Sequence, residues 1–298
     1  MNGPIRVVDC FPYFNEKELL ELRIKLLYDH VEKFIITDAD HTHSGHPKPY
    51  TCRDTLNELG IPLDKIEIVE VNLPSYEQTD RNHIREALQR DTIKSILEDG
   101  VVYIITDCDE IINPEMIQMY ASGVLSNPNS IVRLPLEFLN CRADLKVYHP
   151  NGIEAAWNPG FMCVKQHTNY HTLSEMRSSQ GVVGGDNLLF KDIYLLGHDR
   201  TPVKAGWHFS WMGDRERIKT KMKSFLHSYD NNDYIFSTAI APMHSEEMKN
   251  FLDSYKPEVG STDPYGRSNH LLQPYPVDKL PKKIFELPRV EDFLFQKV

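Results

Sequence analysis

Two carboxylates, two positions apart at the end of an apolar run, are the strongest chemical signal in this chain. The segment YIITDCDEI, residues 103–111, presents Asp107 and Asp109 at the end of a predicted strand. In an extended segment, side chains at i and i+2 point the same way. Mg²⁺ and Mn²⁺ prefer oxygen ligands and often take one or two carboxylates plus substrate phosphates. A metal ion held there would bridge to a diphosphate and stabilise it as a leaving group. The pattern alone gives equal weight to a polar strand-to-loop transition, because loops favour Asp.

A second acidic pair competes with the first. FIITDADHT, residues 34–42, resembles the nucleophile motif of haloacid dehalogenase-type phosphatases. There Asp38 would attack a phosphoryl group and Asp40 would act as acid and base. Such enzymes need a downstream acidic metal motif. The nearest pair, Asp186 and Asp192, is spaced more widely than that pattern.

Aromatic and basic residues supply the rest of a possible site. The three tryptophans, Trp157, Trp207 and Trp211, all lie in one stretch of the second half. Aromatic faces suit the apolar face of a sugar ring, which makes Trp157 and Trp211 candidates for substrate contact, with a core role as the equal alternative. His208 sits between two of them in GWHFSWMG, among residues too polar and Gly-rich for a plain core strand. Arg85 and Arg90 lie on a predicted helix just before the DCD strand. Guanidinium matches phosphate oxygens, so one or both can reach a diphosphate, although most charges on that helix read as a solvated face. The basic residues of 215–227 read by default as a solvated face too.

The elements that must position these residues alternate. Residues 5–8 and 33–37 read as strands, with a helix between them. Asn15 is its expected N-cap, Glu18 completes a capping box, and Leu19, Leu22 and Leu26 share one face. Further strands are expected at 66–71 and 101–106. A helix over 80–97 precedes the last of these, with Ile84, Leu88 and Ile96 inward. Asn113-Pro114 opens the next helix. Strands follow near 131–138, 145–148 and 161–164, then a loop or lid over 166–185, then helices over 215–227 and 245–254. The order β-α-β-(β)-α-β predicts an α/β fold with a mainly parallel, doubly wound sheet flanked by helices. Ligands of such sheets bind beyond the carboxyl ends of the strands, where Asp9, Asp38, Asp40, Asp107 and Asp109 are all expected. Prolines at 264, 274, 276, 281 and 288 indicate a Pro-rich tail wrapped over the domain.

Bulk properties narrow the class. A chain of 298 residues is ample for a buried core. Its net charge of -10 argues against a nucleic-acid partner, which needs a basic face for phosphates. The five cysteines are scattered, with no CxxC pair, and read as reduced thiols of a cytoplasmic protein. No membrane span is expected, since no apolar run nears the roughly 18 residues one requires.

Four blocks carry a family resemblance. The N-terminal VVDCFPYFNEKELLELRIKLLYDHVEKFIITDADHTHSGHPKP, then REALQRDTI, VVYIITDCDEIINP and AGWHFSWMGDRERIKTKMKSFLHS, resemble glycosyltransferase family 17 in the same order, over roughly residues 6–230. The resemblance implies a GT-A, Rossmann-like fold and a nucleotide-sugar donor, with a UDP-sugar favoured and N-acetylglucosamine as the sugar. It further implies a glycan acceptor, Mn²⁺ or Mg²⁺, and inversion at the anomeric carbon. By position it makes Asp107 and Asp109 metal and diphosphate ligands and His208 a further metal contact. Asp186 becomes the candidate base. Phe11, Asp38, Thr42 and Ser44 fall in the segments that border the nucleotide. Residues 1–258 would form the transferase domain and 259–298 an extension packed on it. The alternatives are the phosphatase and a carbohydrate-binding protein without turnover.

Overall fold

A computed structural model describes residues 3–79, 81–178, 191–213, 217, 220–221, 224, 256–262 and 269–287. It is a mixed α/β structure with two sheets. Strand β1 (Val7–Tyr13) leads into helix α1 (Lys17–Leu27), then β2 (Lys33–Ala39), helix α2 (Cys52–Glu58) and β3 (Ile66–Val71). Helix α3 (Asn82–Asp91) and a 3₁₀ turn (Thr92–Ile96) precede β4 (Val102–Ile105). The chain then enters β5 (Glu110–Ile112), helix α4 (Ile117–Ser126), β6 (Ser130–Arg133), β7 (Leu136–Asn140), β8 (Arg142–Tyr148) and β9 (Phe161–Val164). Helix α5 (Leu173–Ser178), β10 (Lys191–Ile193), β11 (Gly206–Ser210) and β12 (Leu271–Pro274) complete it.

The first sheet has the order β10-β6-β9-β4-β1-β2-β3. Strands β4, β1, β2 and β3 run parallel, and β9 is antiparallel to both β4 and β6. Its central strands β9, β4 and β1 are buried and mostly apolar on both faces, as strands covered by helices on both sides must be. The sequence also predicts one strand over 131–138, and here the structure differs. β6 belongs to the first sheet and β7 to a second, of order β12-β8-β7-β11-β5. Pro135 lies in the break between them. The second sheet is largely antiparallel, with β11 parallel to β7. One continuous core, including Phe11, Ile111, Leu136 and Phe209, joins the two sheets.

Local differences from the sequence reading have physical causes. Asn15 does not cap α1. The cap position is Glu16, which makes no side-chain cap bond, and its carboxylate instead accepts from the backbone N–H groups of Phe14 and Asn15. Helix α3 buries Arg85, Gln89 and Arg90 and, of the residues expected inward, leaves Leu88 exposed and Ile84 half-buried, while Ile96 packs on the core. Its charged side chains find partners inside the fold, which outweighs the loss of one apolar contact. Residues 166–185 are not simply a loop, since a 3₁₀ turn (Lys165–Asn169) and α5 occupy part of them. α5 forms because Leu173 and Met176 find an apolar seat. The helix expected over 245–254 lies outside the described residues. The described tail adds β12 as an edge strand beside β8, and Leu280 and Ile284 enter the core. No helix among the described residues is long and apolar enough to cross a membrane.

Candidate functional site

The chain crosses from the first sheet to the second at residues 106–109, between β4 and β5. Asp107 and Asp109 lie in this crossing. It is a turn, closed by the Glu110 N–H donating to the Asp107 carbonyl at 3.0 Å, and not the extended segment the spacing suggested. Arg23, from α1, holds the turn. Its guanidinium donates to the Asp9 carboxylate at 2.5 and 2.8 Å and to Thr106 Oγ1 at 2.6 Å. It also donates to the carbonyl oxygens of Asp107 at 2.6 Å and Glu110 at 2.9 Å. Both Arg23 and Asp9 are fully buried, and the guanidinium stacks 4.1 Å over the Phe11 ring. Asp9 therefore sits within β1 as an internal counter-ion, not at a strand end facing ligand.

The two carboxylates of the turn border one cleft, together with the end of β1, the loop after β2, α3 and the second sheet. Asp107 accepts from Arg90 at 2.9 Å and from Arg177 of α5 at 2.5 Å. Arg90 also holds Glu86 at 2.9 Å, and Arg177 holds Glu110 at 2.6 and 2.9 Å. Asp109 accepts from Lys221 at 2.8 Å, and His208 Nε2 stands 3.6 Å from its other oxygen. Burial pushes both aspartates up, but the cations prevail. Arg177 and Arg90 hold Asp107 below the usual carboxylate range, and Lys221 and His208 hold Asp109 well below it. Both are therefore ionised at neutral pH.

The aromatic wall comes from the second sheet. His208 lies in β11, in register with Glu110 of β5 and Phe138 of β7. Its ring stacks at 4.1 Å on Trp157 and at 5.1 Å on Phe138. Trp157 is itself fixed by donating from Nε1 to Glu110 at 2.7 Å. Strand alternation sends His208 and Ser210 to the cleft and Trp207 to the core, where its Nε1 donates to the Lys279 carbonyl. Trp211 has the same parity as Trp207 but follows the strand at φ 56°, and that left-handed turn brings its ring to the cleft. Lys221 lies 5.5 Å above the Trp211 ring. Gly206 is required where β11 meets β5, since a Cβ there would come within 2.2 Å of the Ile111 carbonyl oxygen.

The structure thus brings Thr42, Arg90, Asp107, Asp109, Trp157, His208 and Trp211 to one cleft. Four other residues expected at the nucleotide are elsewhere. Phe11 is in the core beneath Arg23. Ser44 is fully buried and bonds Thr42 Oγ1 at 2.8 Å. Arg85 is fully buried and knits a loop, donating to the carbonyls of His43, Pro74, Ser75 and Thr79. Asp38 is 1% exposed, pairs with Lys48 at 2.8 Å and accepts from the N–H groups of Thr51 and Cys52. A carboxylate so enclosed cannot attack phosphorus, which removes the basis of the phosphatase reading. Asp186 lies outside the described residues.

Sequence reading missed Arg23, Glu110, Arg177 and Lys221. Arg23 had a signal, because it falls on the apolar stripe of Leu19, Leu22 and Leu26, where a lone cation needs a buried partner. Glu110 had a weaker one, as an acid opening an apolar strand. Arg177 and Lys221 sit in polar stretches that give no local sign of burial.

Comparison with known proteins addresses the N-terminal part. Residues 1–134 match the family described as Glycosyltransferase family 17, which bears out the family resemblance over that segment. A beta-1,4-mannosyl-glycoprotein 4-beta-N-acetylglucosaminyltransferase of Mus musculus is 27% identical over 117 residues, covering 36% of this chain. The match spans about a fifth of that relative, 22% of its length. Among solved structures, a 4-diphosphocytidyl-2C-methyl-D-erythritol synthase aligns with a TM-score of 0.34 and 10% identity, over 67% of this chain and 93% of that one.

Proposed function

We propose that this chain, whose first 134 residues match glycosyltransferase family 17, is an inverting glycosyltransferase of GT-A type. It would move a sugar from a nucleotide-diphosphate donor to a hydroxyl of a glycan acceptor. A UDP-sugar, with N-acetylglucosamine as the sugar, is the proposed donor. The observation that carries the reading is the convergence of Asp107, Asp109 and His208 with Arg90 and Lys221 at the crossing between the two sheets.

The side chains suit a divalent ion, Mn²⁺ or Mg²⁺, shared with the donor. Two ionised carboxylates and an imidazole border one cleft, and the imidazole turns Nε2 toward Asp109 at 3.6 Å. Among those residues no group of three His, Cys, Asp or Glu converges to hold a metal by itself. That arrangement suits an ion that completes its shell with phosphate oxygens and water. Asp107, Asp109 and His208 are the proposed ligands, and they would have to draw together as ion and donor bind, since as placed they do not converge. When bound, it would neutralise charge on the departing diphosphate.

The remaining roles fall to the protein. Arg90 presents a guanidinium at the cleft for a phosphate oxygen. Arg23 fixes the turn that aims both aspartates. The stacked rings of Trp157 and His208, with Trp211, offer apolar faces to the sugar and the acceptor. The acceptor oxygen attacks C1 as the C1–O bond to the diphosphate breaks. Its proton passes to a carboxylate on the acceptor side, for which Asp186 is proposed. The five cysteines are all buried and none forms a disulfide, which suits a reducing compartment, and the cytoplasm is the proposed location.

The test is thermal melting with UDP- and GDP-sugars, with and without Mn²⁺, followed by product detection. A ligand that binds only the folded state raises the melting temperature. Metal-dependent stabilisation by a nucleotide sugar, with release of the nucleoside diphosphate, is expected. Stabilisation by free glycans alone, with no donor turnover, would replace the reading with a carbohydrate-binding protein.

A further inference from the structure

Among the lysine and arginine side chains that contact Asp107 and Asp109, Lys221 is held differently from the other two. Arg90 is clamped between Asp107 and Glu86, and Arg177 between Asp107 and Glu110. Each planar fork is fixed by two carboxylates. Lys221 is a point charge on a flexible stem. It reaches Asp109 Oδ2 at 2.8 Å and rests 5.5 Å over the Trp211 ring. Its side chain is 21% exposed and that of Asp109 9% exposed, so the pair is shielded but not sealed.

This contact has a consequence for the donor site. Lys221 occupies one oxygen of a carboxylate proposed to hold a divalent ion. An ammonium and a divalent cation cannot share that oxygen without strong repulsion at such short range. A donor diphosphate brings its own negative oxygens into the same cleft and offers the displaced ammonium a new partner.

We propose that Lys221 is an exchangeable counter-ion that neutralises Asp109 in the empty site and transfers to the donor diphosphate when metal and nucleotide bind. The inference rests on the nucleotide-sugar reading above. It makes Lys221 a donor-binding residue and makes metal and nucleotide depend on each other. Metal alone must displace Lys221 with no compensation, whereas metal with a diphosphate gains the ammonium as a ligand contact. The Trp211 face keeps the charge at the cleft wall in both states, since a cation is attracted to an aromatic face.

Isothermal titration calorimetry separates the two halves of the exchange. Wild type, Lys221→Met and Lys221→Arg are titrated with Mn²⁺ alone, then with UDP or GDP at saturating Mn²⁺. Lys221→Met should bind Mn²⁺ alone about tenfold more tightly and the nucleoside diphosphate about tenfold more weakly, the scale of one hydrogen bond to a charged group. Lys221→Arg should stay near wild type in both. Opposite signs in the two titrations are the signature, and a merely structural lysine would not produce them. If Lys221→Met melts well below wild type, Lys221→Gln replaces it. Unchanged or weaker Mn²⁺ binding in the neutral variant, or unchanged nucleotide binding, overturns the exchange while the donor site stands. Failure of wild type to bind either nucleotide with Mn²⁺ overturns the donor reading and the exchange together.

Discussion

Replacing Arg23 by Met should be among the most damaging single changes in the protein. The side chain is fully buried and nearly isosteric with Met along its stem, so the loss is electrostatic. Two terms dominate. Asp9, fully buried, is left without its counter-ion, and breaking a buried pair from one side costs about 3–5 kcal/mol. The Glu110 carbonyl loses its donor at 2.9 Å, at about 1–3 kcal/mol for a buried group left unpaired, while the Asp107 carbonyl loses a donor at 2.6 Å but keeps the Glu110 N–H. The sum is at least about 4 kcal/mol, against a typical total stability of about 5–15 kcal/mol. Urea unfolding followed by tryptophan fluorescence measures it. The double variant Asp9→Leu with Arg23→Met removes the stranded charge and should recover part of the loss. It should still bind donor poorly, because the turn carrying Asp107 and Asp109 has lost its anchor. An Arg23→Met protein within about 1 kcal/mol of wild type would refute the reasoning. So would a double variant less stable than the single one, since the stranded Asp9 charge is the largest assigned term.

Other outcomes follow from the same geometry. Asp109→Asn should abolish metal-dependent nucleotide binding while the variant stays folded, as read by calorimetry and circular dichroism; unchanged affinity would move the metal away from this turn. Trp207→Ala should cost about 3–5 kcal/mol in chemical unfolding, as a large core aromatic does. His208→Ala should strongly lower donor turnover. It should also cost about 1 kcal/mol of stability, because the ring is 3% exposed and packs against Trp157 and Phe138, which also touch each other. Asp107 and Asp109 titrate below the usual carboxylate range, so their contribution to stability is complete above about pH 4 and is lost as pH falls toward their folded-state values. The urea midpoint should therefore drop more steeply below about pH 4 in wild type than in Asp109→Asn.

By itself the sequence determined the parallel half of the first sheet, because β1, β2 and β4 each contain a short apolar run and a helical period follows the first. It also determined that Asp107 and Asp109 end the most apolar of them, and that His208 and Trp207 face opposite ways, since strand alternation is a local rule. The second sheet was decided by tertiary structure. β7, β8 and β11 pair at sequence separations that no local pattern encodes, and the break at Pro135 divides what reads as one strand. Tertiary structure also sorted the polar residues. Arg85, Arg90 and Lys94 look alike along a helix, yet Arg85 knits a loop, Arg90 meets Asp107, and Lys94 is exposed. Asp38 and Asp107 both follow apolar strands. The first is enclosed with Lys48 and two backbone N–H groups, while the second, though held by Arg90 and Arg177, keeps 30% of its side chain exposed at the cleft. Both carboxylates have donors, so what separates a structural one from an available one is whether the fold packs other elements over it, and no local pattern encodes that.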